Sequence, residues 1–384
     1  RMSASNSMQG KIIEAMHANP VAWWLYGSAA LLATTMTVGA ASKLTRSGAS
    51  MVYWKPRSVF PPMDTREWYD EYDAYRNVND QLRRPMSMEE FRRNYKWEYM
   101  HRILGQSTAL AIVGPLGYFY VKEKLPTQVH GHLLALLALG TTQFVIGRRM
   151  VRSNVERHGE HDKRAWTAHG LTYHSAFSLA NLSLLLWTAF QLKSPASSAM
   201  KIRELMSSSA LKEIGELRKY LQGSTALLLT TIGVGSIVAS IDAGKEYNTF
   251  PKMGKQWIPD HLMEKKPWIR NFYENPATVQ LEHRVLAVST LAAFIALYWK
   301  ARKPKIWDNL PAESKTAMRV MTLTVGGQVI MGVTMLVNAV PTTLALVHQS
   351  GAVVLFSASL WALHTLRFAR PFGSAVVEKV AKAL

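Results

Sequence analysis

The sequence predicts an all-α integral membrane protein, with eight transmembrane helices arranged as two tandem, pseudo-twofold-related four-helix bundles. Three observations predict it: charge is scarce, uncharged runs of bilayer-crossing length recur, and the second half repeats the first. Of 384 residues, 48% are hydrophobic and only 18% charged, against the quarter usual in soluble domains. A bilayer core needs about 20 apolar residues per helix.

Taken in order, residues 21–42 contain no Asp, Glu, Lys or Arg. The same holds for 103–121, 125–147, 165–192, 220–241 and 285–299. The stretch 320–366 is also uncharged and is long enough for two helices, broken near Asn338 and Pro341. These runs divide the chain into an N-terminal segment 1–20, a four-helix half 21–192, a linker 193–219, a four-helix half 220–366 and a tail 367–384. The mean hydropathy of −0.03 is low for a membrane protein, because the polar loop 43–99 dilutes it. The chain opens at Arg1, and residues 1–20 carry few charges. This reads as no intact targeting presequence, either because such a segment has been removed or because the sequence begins inside a longer one.

Lys and Arg number 45 against 26 Asp and Glu, a net charge of +19. Such an excess raises nucleic-acid binding. Its placement outside the uncharged runs assigns it instead to loops and tail at the membrane surface. Cysteine is absent, which excludes disulfides, Cys zinc sites, iron–sulfur ligation and a thiol nucleophile. With 12 Trp, 14 Tyr and 12 Phe, the chain is not disordered.

The duplication rests on three anchors. Glu98-Tyr99-Met100-His101-Arg102 precedes the second span and Gln280-Leu281-Glu282-His283-Arg284 the sixth, so His101 and His283 lie 182 residues apart. Gln143-Phe144-Val145-Ile146-Gly147 matches Gln328-Val329-Ile330-Met331-Gly332 at an offset of 185. Ala168-His169-Gly170 is set against Val347-His348-Gln349 at an offset of 179. Four helices per half return the chain to its starting side, so the halves are parallel repeats about an axis along the membrane normal. His101, His169, His283 and His348 then begin spans 2, 4, 6 and 8, at one face of the membrane.

Histidine within a membrane is costly and usually functional. The pairs His101/His169 and His283/His348 can stand on opposite walls of each bundle, where two imidazoles can axially ligate one haem iron. A lone histidine of this kind would be read as interfacial or packing; the duplicated pairing favours ligation. His174, five positions beyond His169, is expected to point elsewhere and to pack or hydrogen bond. His130 and His132 lie at the opposite face, and His364 far along span 8. His17, His158, His161 and His261 lie in loops or the N-terminal segment. Arg102 and Arg284 are set either to pair with haem propionates or to anchor the helices at the interface. Glu98 lies three residues before His101, on roughly the same helical face, whereas Glu282 adjoins His283 about 100° away. That difference suggests a reactive N-terminal site and an electron-transferring C-terminal haem. The alternative is that Glu98 caps a helix start.

These residues resemble the heme A synthase family. The resemblance covers nearly the whole chain. It lies in Trp97-Glu98-Tyr99-Met100-His101-Arg102, Ala168-His169, the run from Asp242-Ala243-Gly244-Lys245-Glu246-Tyr247-Asn248 to Gly254, Glu274-Asn275-Pro276, Glu282-His283-Arg284 and His348-Gln349-Ser350-Gly351. The absence of cysteine and the element Trp54-Lys55-Pro56 resemble the mitochondrial and proteobacterial type. The resemblance implies a resident heme B on His283 and His348, and heme O as substrate between His101 and His169 with Glu98 essential there. It implies oxidation of the porphyrin C8 methyl to a formyl group by successive hydroxylations, in the biogenesis of cytochrome c oxidase. It also implies a ferredoxin and its reductase as electron source, contact with the farnesyltransferase that makes heme O, and a homo-oligomer. Glu282 stands where many relatives have Asp. Asp242, Tyr247 and Asn248 are read either as closing over the haems or as a structured interfacial loop.

Basic residues crowd the short loop after span 6 (Lys300, Arg302, Lys303, Lys305) and the tail (Arg367, Arg370, Lys379, Lys382); Arg148, Arg149 and Arg152 argue the other way. On balance the termini are expected in the mitochondrial matrix and the haems toward the intermembrane space, in the inner membrane. Two other readings compete. A bis-His cytochrome b-type carrier would place haems at opposite faces, and a haem-handling assembly factor without chemistry would not need Glu98.

Overall fold

The computed structural model describes residues 19–45, 47, 50–51, 60–78, 86–155, 160–194 and 196–370, with backbone alone for 152–155 and 160–168. Trp54-Lys55-Pro56, His17, His158, the N-terminal residues 1–18 and the tail from 371 lie outside the described residues, as do the side chains of Arg152, His161 and Ala168. Among the described residues there are eight long helices: α1 (Pro20–Leu44), α2 (Met88–Val121), α3 (His130–Val155), α4 (Glu160–Lys193), α5 (Ser208–Ser240), α6 (Pro276–Ala301), α7 (Ala312–Val337) and α8 (Thr342–Thr365). Shorter helices occupy Thr65–Val78, Ala196–Glu204, Asn271–Glu274 and Pro304–Trp307. No strand is formed among the described residues. The linker of the sequence reading is therefore largely helical, and α5 begins twelve residues before its uncharged run.

Local chemistry sets the helix starts. The Asn19 side chain accepts from the Val21 and Ala22 amides at 3.1 and 3.2 Å, with Pro20 at the first helical position. Asn275 and Pro276 start α6 in the same way. Ser87 and Glu90 form a capping box at the start of α2. Between α7 and α8 the chain reverses through Ala339 and Val340, both at positive φ (59° and 58°), which is the break expected near Asn338 and Pro341.

Seven of these helices are long and apolar enough to cross a membrane. The exception is α2. Its apolar half includes Gln106, Ser107, Thr108 and Pro115, and its first half is charged. At 34 residues it is about 50 Å long, well beyond a hydrocarbon core of about 30 Å. Its first turns therefore stand clear of the apolar segment. There Phe91 and Tyr95 pack with Trp68, Tyr72 and Tyr75 of the loop helix.

In the first half α1 packs on α2 and α4, and α3 on α4. In the second half α5 packs on α6 and α8, α6 on α7, and α7 on α8. The halves meet where α4 touches α5 and α8, and where α8 touches α1. One difference stands out: α6 and α7 pack side by side, whereas among the described residues α2 and α3 pack less closely.

Pro115 lies inside α2. Without an amide hydrogen it cannot satisfy the carbonyl four residues back, and in lipid no water replaces it. Helix α1 supplies the partner: the Trp24 indole donates to the Ala111 carbonyl at 2.6 Å and the Ser28 hydroxyl at 3.4 Å. Trp24→Phe is expected to destabilise the protein by about 1 kcal/mol through this bond. In the Pro115→Ala background, where the helix can satisfy Ala111 itself, the loss should shrink. A double-mutant cycle of unfolding in mild detergent measures the difference.

Candidate haem-binding site

Each of four histidines lies with its ring edge against a glycine on the preceding helix. A Cβ built on Gly39 of α1 would stand 2.6 Å from Cε1 of His101 on α2. One on Gly235 of α5 would stand 2.9 Å from the same atom of His283 on α6. One on Gly332 of α7 would stand 2.8 Å from His348 on α8. The fourth glycine, Gly147 of α3, faces His174 of α4 at 3.2 Å. The glycines lie toward the C-terminal ends of the odd-numbered helices, so the four rings packed against them share one end of the bundle.

The sequence reading set His169 opposite His101 and left His174 to packing. In the structure His174 stands opposite His101, the two ring centroids 6.4 Å apart and nearly perpendicular (78°). His169 is five residues nearer the start of α4, about 7.5 Å outward and some 140° around the helix. It stacks near Tyr173 (6.5 Å) and lies edge-on to Tyr273 of the loop after α5 (4.7 Å). The reason for the displacement is a longer α3–α4 connection. Gln143 and His174 are 31 residues apart, Gln328 and His348 only 20.

Backbone carbonyls complete the seats. His101 Nδ1 faces the Thr35 carbonyl at 3.2 Å. Only a protonated Nδ1 satisfies that oxygen, which leaves the Nε2 lone pair for a metal. The Thr231 and Gln143 carbonyls stand near His283 Nδ1 and His174 Nδ1 without a well-formed hydrogen bond. Gln328 donates to the His348 carbonyl at 2.6 Å and lies 3.1 Å from its Nδ1. Its amide fills the space over Gly351.

Contacts recur at constant offsets. Thr35 bonds Thr108 at 2.9 Å, and Thr231 bonds Thr290 at 2.8 Å. Arg102 donates to the Met51 carbonyl at 3.1 Å, and Arg284 to the Tyr247 carbonyl at 2.9 Å. Thr35/Thr231, Gly39/Gly235 and Met51/Tyr247 are each 196 residues apart; His101/His283, Arg102/Arg284 and Thr108/Thr290 are each 182 apart. On this register the counterpart of Glu98 is Gln280, not Glu282.

Glu98 is 5% exposed and Arg102 9%. Arg102 Nε donates to one Glu98 oxygen at 2.8 Å, and the Ser42 hydroxyl to the other at 2.6 Å. Gln280 instead donates to the Tyr247 carbonyl at 3.1 Å. Arg284 also reaches Lys252 and Pro251 carbonyls (3.2 and 3.4 Å). Both arginines are thus turned to the protein's own oxygens. Asn248 bonds the Gly244 and Leu336 carbonyls, and Asn275 bonds the His261 carbonyl at 2.8 Å. The loop 242–275 is therefore a fixed part of the histidine end, and its Tyr273 comes from the second half to lie on His169 of the first.

The four seated histidines fit haem iron. A metal–imidazole nitrogen bond is about 2 Å, so two imidazoles on opposite sides of one iron have ring centres about 6 Å apart, close to the 6.4 Å of His101 and His174. His283 and His348 are seated in the same manner, on Gly235 and Gly332.

Removing one partner of the buried Glu98–Arg102 pair strands the other. Arg102→Ala should destabilise the protein by about 3 kcal/mol or more, and Arg102→Ala with Glu98→Ala by clearly less than the sum. Thermal unfolding of the three variants tests this coupling.

The COX15-CtaA family, described as cytochrome oxidase assembly protein, matches residues 22–360. The chain is 35% identical to heme A synthase COX15 of Arabidopsis thaliana, over 94% of this chain and 77% of that protein. It is 34% identical to heme A synthase of Nitrosospira multiformis, over 91% of this chain and 94% of the relative. It is 32% identical to a heme A synthase–mitochondrial ferredoxin fusion protein of Schizosaccharomyces pombe, over 90% of this chain and 60% of the fusion.

Proposed function

Because the chain belongs to the COX15-CtaA family of cytochrome oxidase assembly proteins, we propose that it is a heme A synthase, a membrane oxidoreductase converting heme O to heme A. The relatives' names support the reaction. The observation that carries the site is the facing pair His101 and His174, at a separation matching one bis-imidazole iron, with Glu98 one turn from His101. Heme O is the substrate of this first pair. A resident heme B on His283 and His348 supplies one-electron redox chemistry beside it. The architecture is read as two tandem four-helix halves, 21–192 and 220–366, with α2 as the eighth span. The recurrence of contacts at offsets of 182 and 196 supports that reading.

The chain's own residues divide the work. The Gly39 and Gly147 seats fix the imidazoles that orient the substrate. Each hydroxylation inserts one atom of dioxygen and reduces the other to water with two electrons from the donor and two protons, and Glu98, kept in place by Arg102 and Ser42, is the carboxylate set to pass protons to the site. In the second half the corresponding residue is the neutral Gln280, which suits a haem that only passes electrons. The looser α2–α3 packing among the described residues suits a substrate carrying a farnesyl chain that enters from the lipid side. His169 and Tyr273 close the outer rim.

The ferredoxin fusion in the S. pombe relative supports a ferredoxin as electron source, with its reductase behind it. Contact with the heme O-forming farnesyltransferase and a homo-oligomer follow from the resemblance alone. The protein is placed in the mitochondrial inner membrane, with the histidine end toward the intermembrane space and the basic end in the matrix.

Pigment analysis of the purified protein tests the function: heme B together with heme O or heme A is expected, and heme B alone, unchanged on feeding heme O with reductant, would refute it. Glu98→Ala should retain heme B and accumulate heme O or an intermediate. His174→Ala should abolish substrate haem binding, seen as loss of its low-spin absorption, while His169→Ala keeps it. The reverse result would restore His169 as the ligand.

A further inference from the structure

The end of the bundle away from the histidines carries a cluster that the proposed reaction does not use. Between α6 and α7 the short helix Pro304–Trp307 sets the Trp307 indole at the membrane boundary. Three cations converge on this one ring: Arg302 at 4.6 Å, Arg319 at 5.4 Å and Lys315 at 5.9 Å from its centroid. None of the three makes an ion pair among the described residues. Glu313 is turned away and accepts from Trp361 at 2.9 Å. Lys315 and Arg319 are four apart on one helix, a spacing at which like charges repel. The duplication does not require the cluster: at the corresponding offsets the first half has Tyr120, His130 and Leu134. Three cations gathered on one ring, with no carboxylate paired to them among the described residues, favour an anion at this place.

What lies below the cations identifies the kind of anion. Along α7 the same face continues from Lys315 and Arg319 to Leu323, which is 77% exposed. Beyond it a Cβ on Gly326 or Gly327 would meet nothing within 4 Å, and Ile330 is exposed below them. On α6, Trp299 is exposed three residues before Arg302. An exposed apolar strip of α7 thus continues from the cationic cluster toward the bilayer interior.

We propose that Arg302, Lys315, Arg319 and Trp307 form a binding site for an anionic phospholipid. The phosphate lies among the three cations, and an acyl chain runs down α7 over Leu323, Gly326 and Gly327. Indole at the interface and basic residues at the headgroup level are the expected elements of such a site.

The delipidated full chain in a non-ionic detergent is the material for the test. It is incubated with dioleoyl phosphatidylglycerol, dioleoyl phosphatidylcholine, inorganic phosphate or glycerol phosphate. Bound lipid is read by mass spectrometry of the intact complex, and Tm is followed in parallel. Phosphatidylglycerol should bind and raise Tm, with phosphatidylcholine and both free phosphates far weaker. The triple variant Arg302→Gln/Lys315→Gln/Arg319→Gln should bind phosphatidylglycerol roughly a hundredfold more weakly, at an unchanged lipid-free Tm. The control Lys303→Gln/Lys305→Gln, which removes neighbouring charge only, should bind like the wild type. Leu323→Gln, which keeps all three cations, should also weaken phosphatidylglycerol, so the proposal stays testable if the triple variant fails to fold. Equal binding of phosphatidylcholine, equal binding of free phosphate, or an equal loss in the control pair would overturn the proposal. So would an acidic peptide of eight aspartates that competes as well as the lipid does.

Discussion

The contact of an imidazole edge with a glycine, made four times, is the constraint from which the rest of the structure follows. A helix pair with glycine at its crossing can approach closely, and the ring of the neighbouring helix fills the space a side chain would take. The residue four before each glycine (Thr35, Gln143, Thr231, Gln328) lies one turn back on the same face and offers a carbonyl or an amide to the ring. The Thr35–Thr108 and Thr231–Thr290 bonds then lock the same two helix pairs one further turn into the bundle. A one-residue slip of either partner would rotate its histidine by about 100°, breaking both the seat and the threonine bond. Helix register and ring position are therefore one property, and the bundle has little freedom to vary one without the other.

Against that common frame the halves differ in charge, and the difference is local. Arg102 and Arg284 make the same hydrogen bond to a loop carbonyl. What changes is the residue four before them: Glu98 gives a buried ion pair, Gln280 a neutral amide bound to the loop. A buried ion pair is rarely retained for stability alone, since apolar replacements often match it. Its presence in one copy of an otherwise repeated arrangement marks that copy as the place where charge is handled.

Much of this was legible in the sequence. The uncharged runs located the long helices, and the matched strings around His101 and His283 set the register of α2 and α6 correctly. The approach of His174 to His101 is not legible from a nearly constant repeat offset, because the first half carries eleven extra residues in the α3–α4 connection. The signal that finds it was present: Gln143…Gly147 and Gln328…Gly332 share a four-residue spacing, and a glycine so placed needs a ring opposite. The hydrogen bonds of the arginines are not legible for a different reason. Their partners are backbone carbonyls of Met51 and Tyr247, and a sequence does not mark which carbonyls are left unpaired. The weak apolar character of α2 has a similar origin, since Pro115 is tolerated there only because Trp24 and Ser28 of another helix satisfy Ala111.

The loop after α5 ties the two halves into one device. It is held by Arg284, Gln280 and Asn248 to α6 and α7, all in the second half, yet Tyr273 covers His169 in the first. Because the cover is anchored at several points, the rim above the first histidine pair is fixed. On the proposed function, a large apolar ligand would approach from the side, where among the described residues α2 and α3 pack less closely than α6 and α7. A fixed roof and a looser side suit a ligand that is exchanged at each turnover, and a closer wall suits one that stays. On the proposed function, the difference in packing and the difference between Glu98 and Gln280 fall in the same half, the one assigned to the substrate.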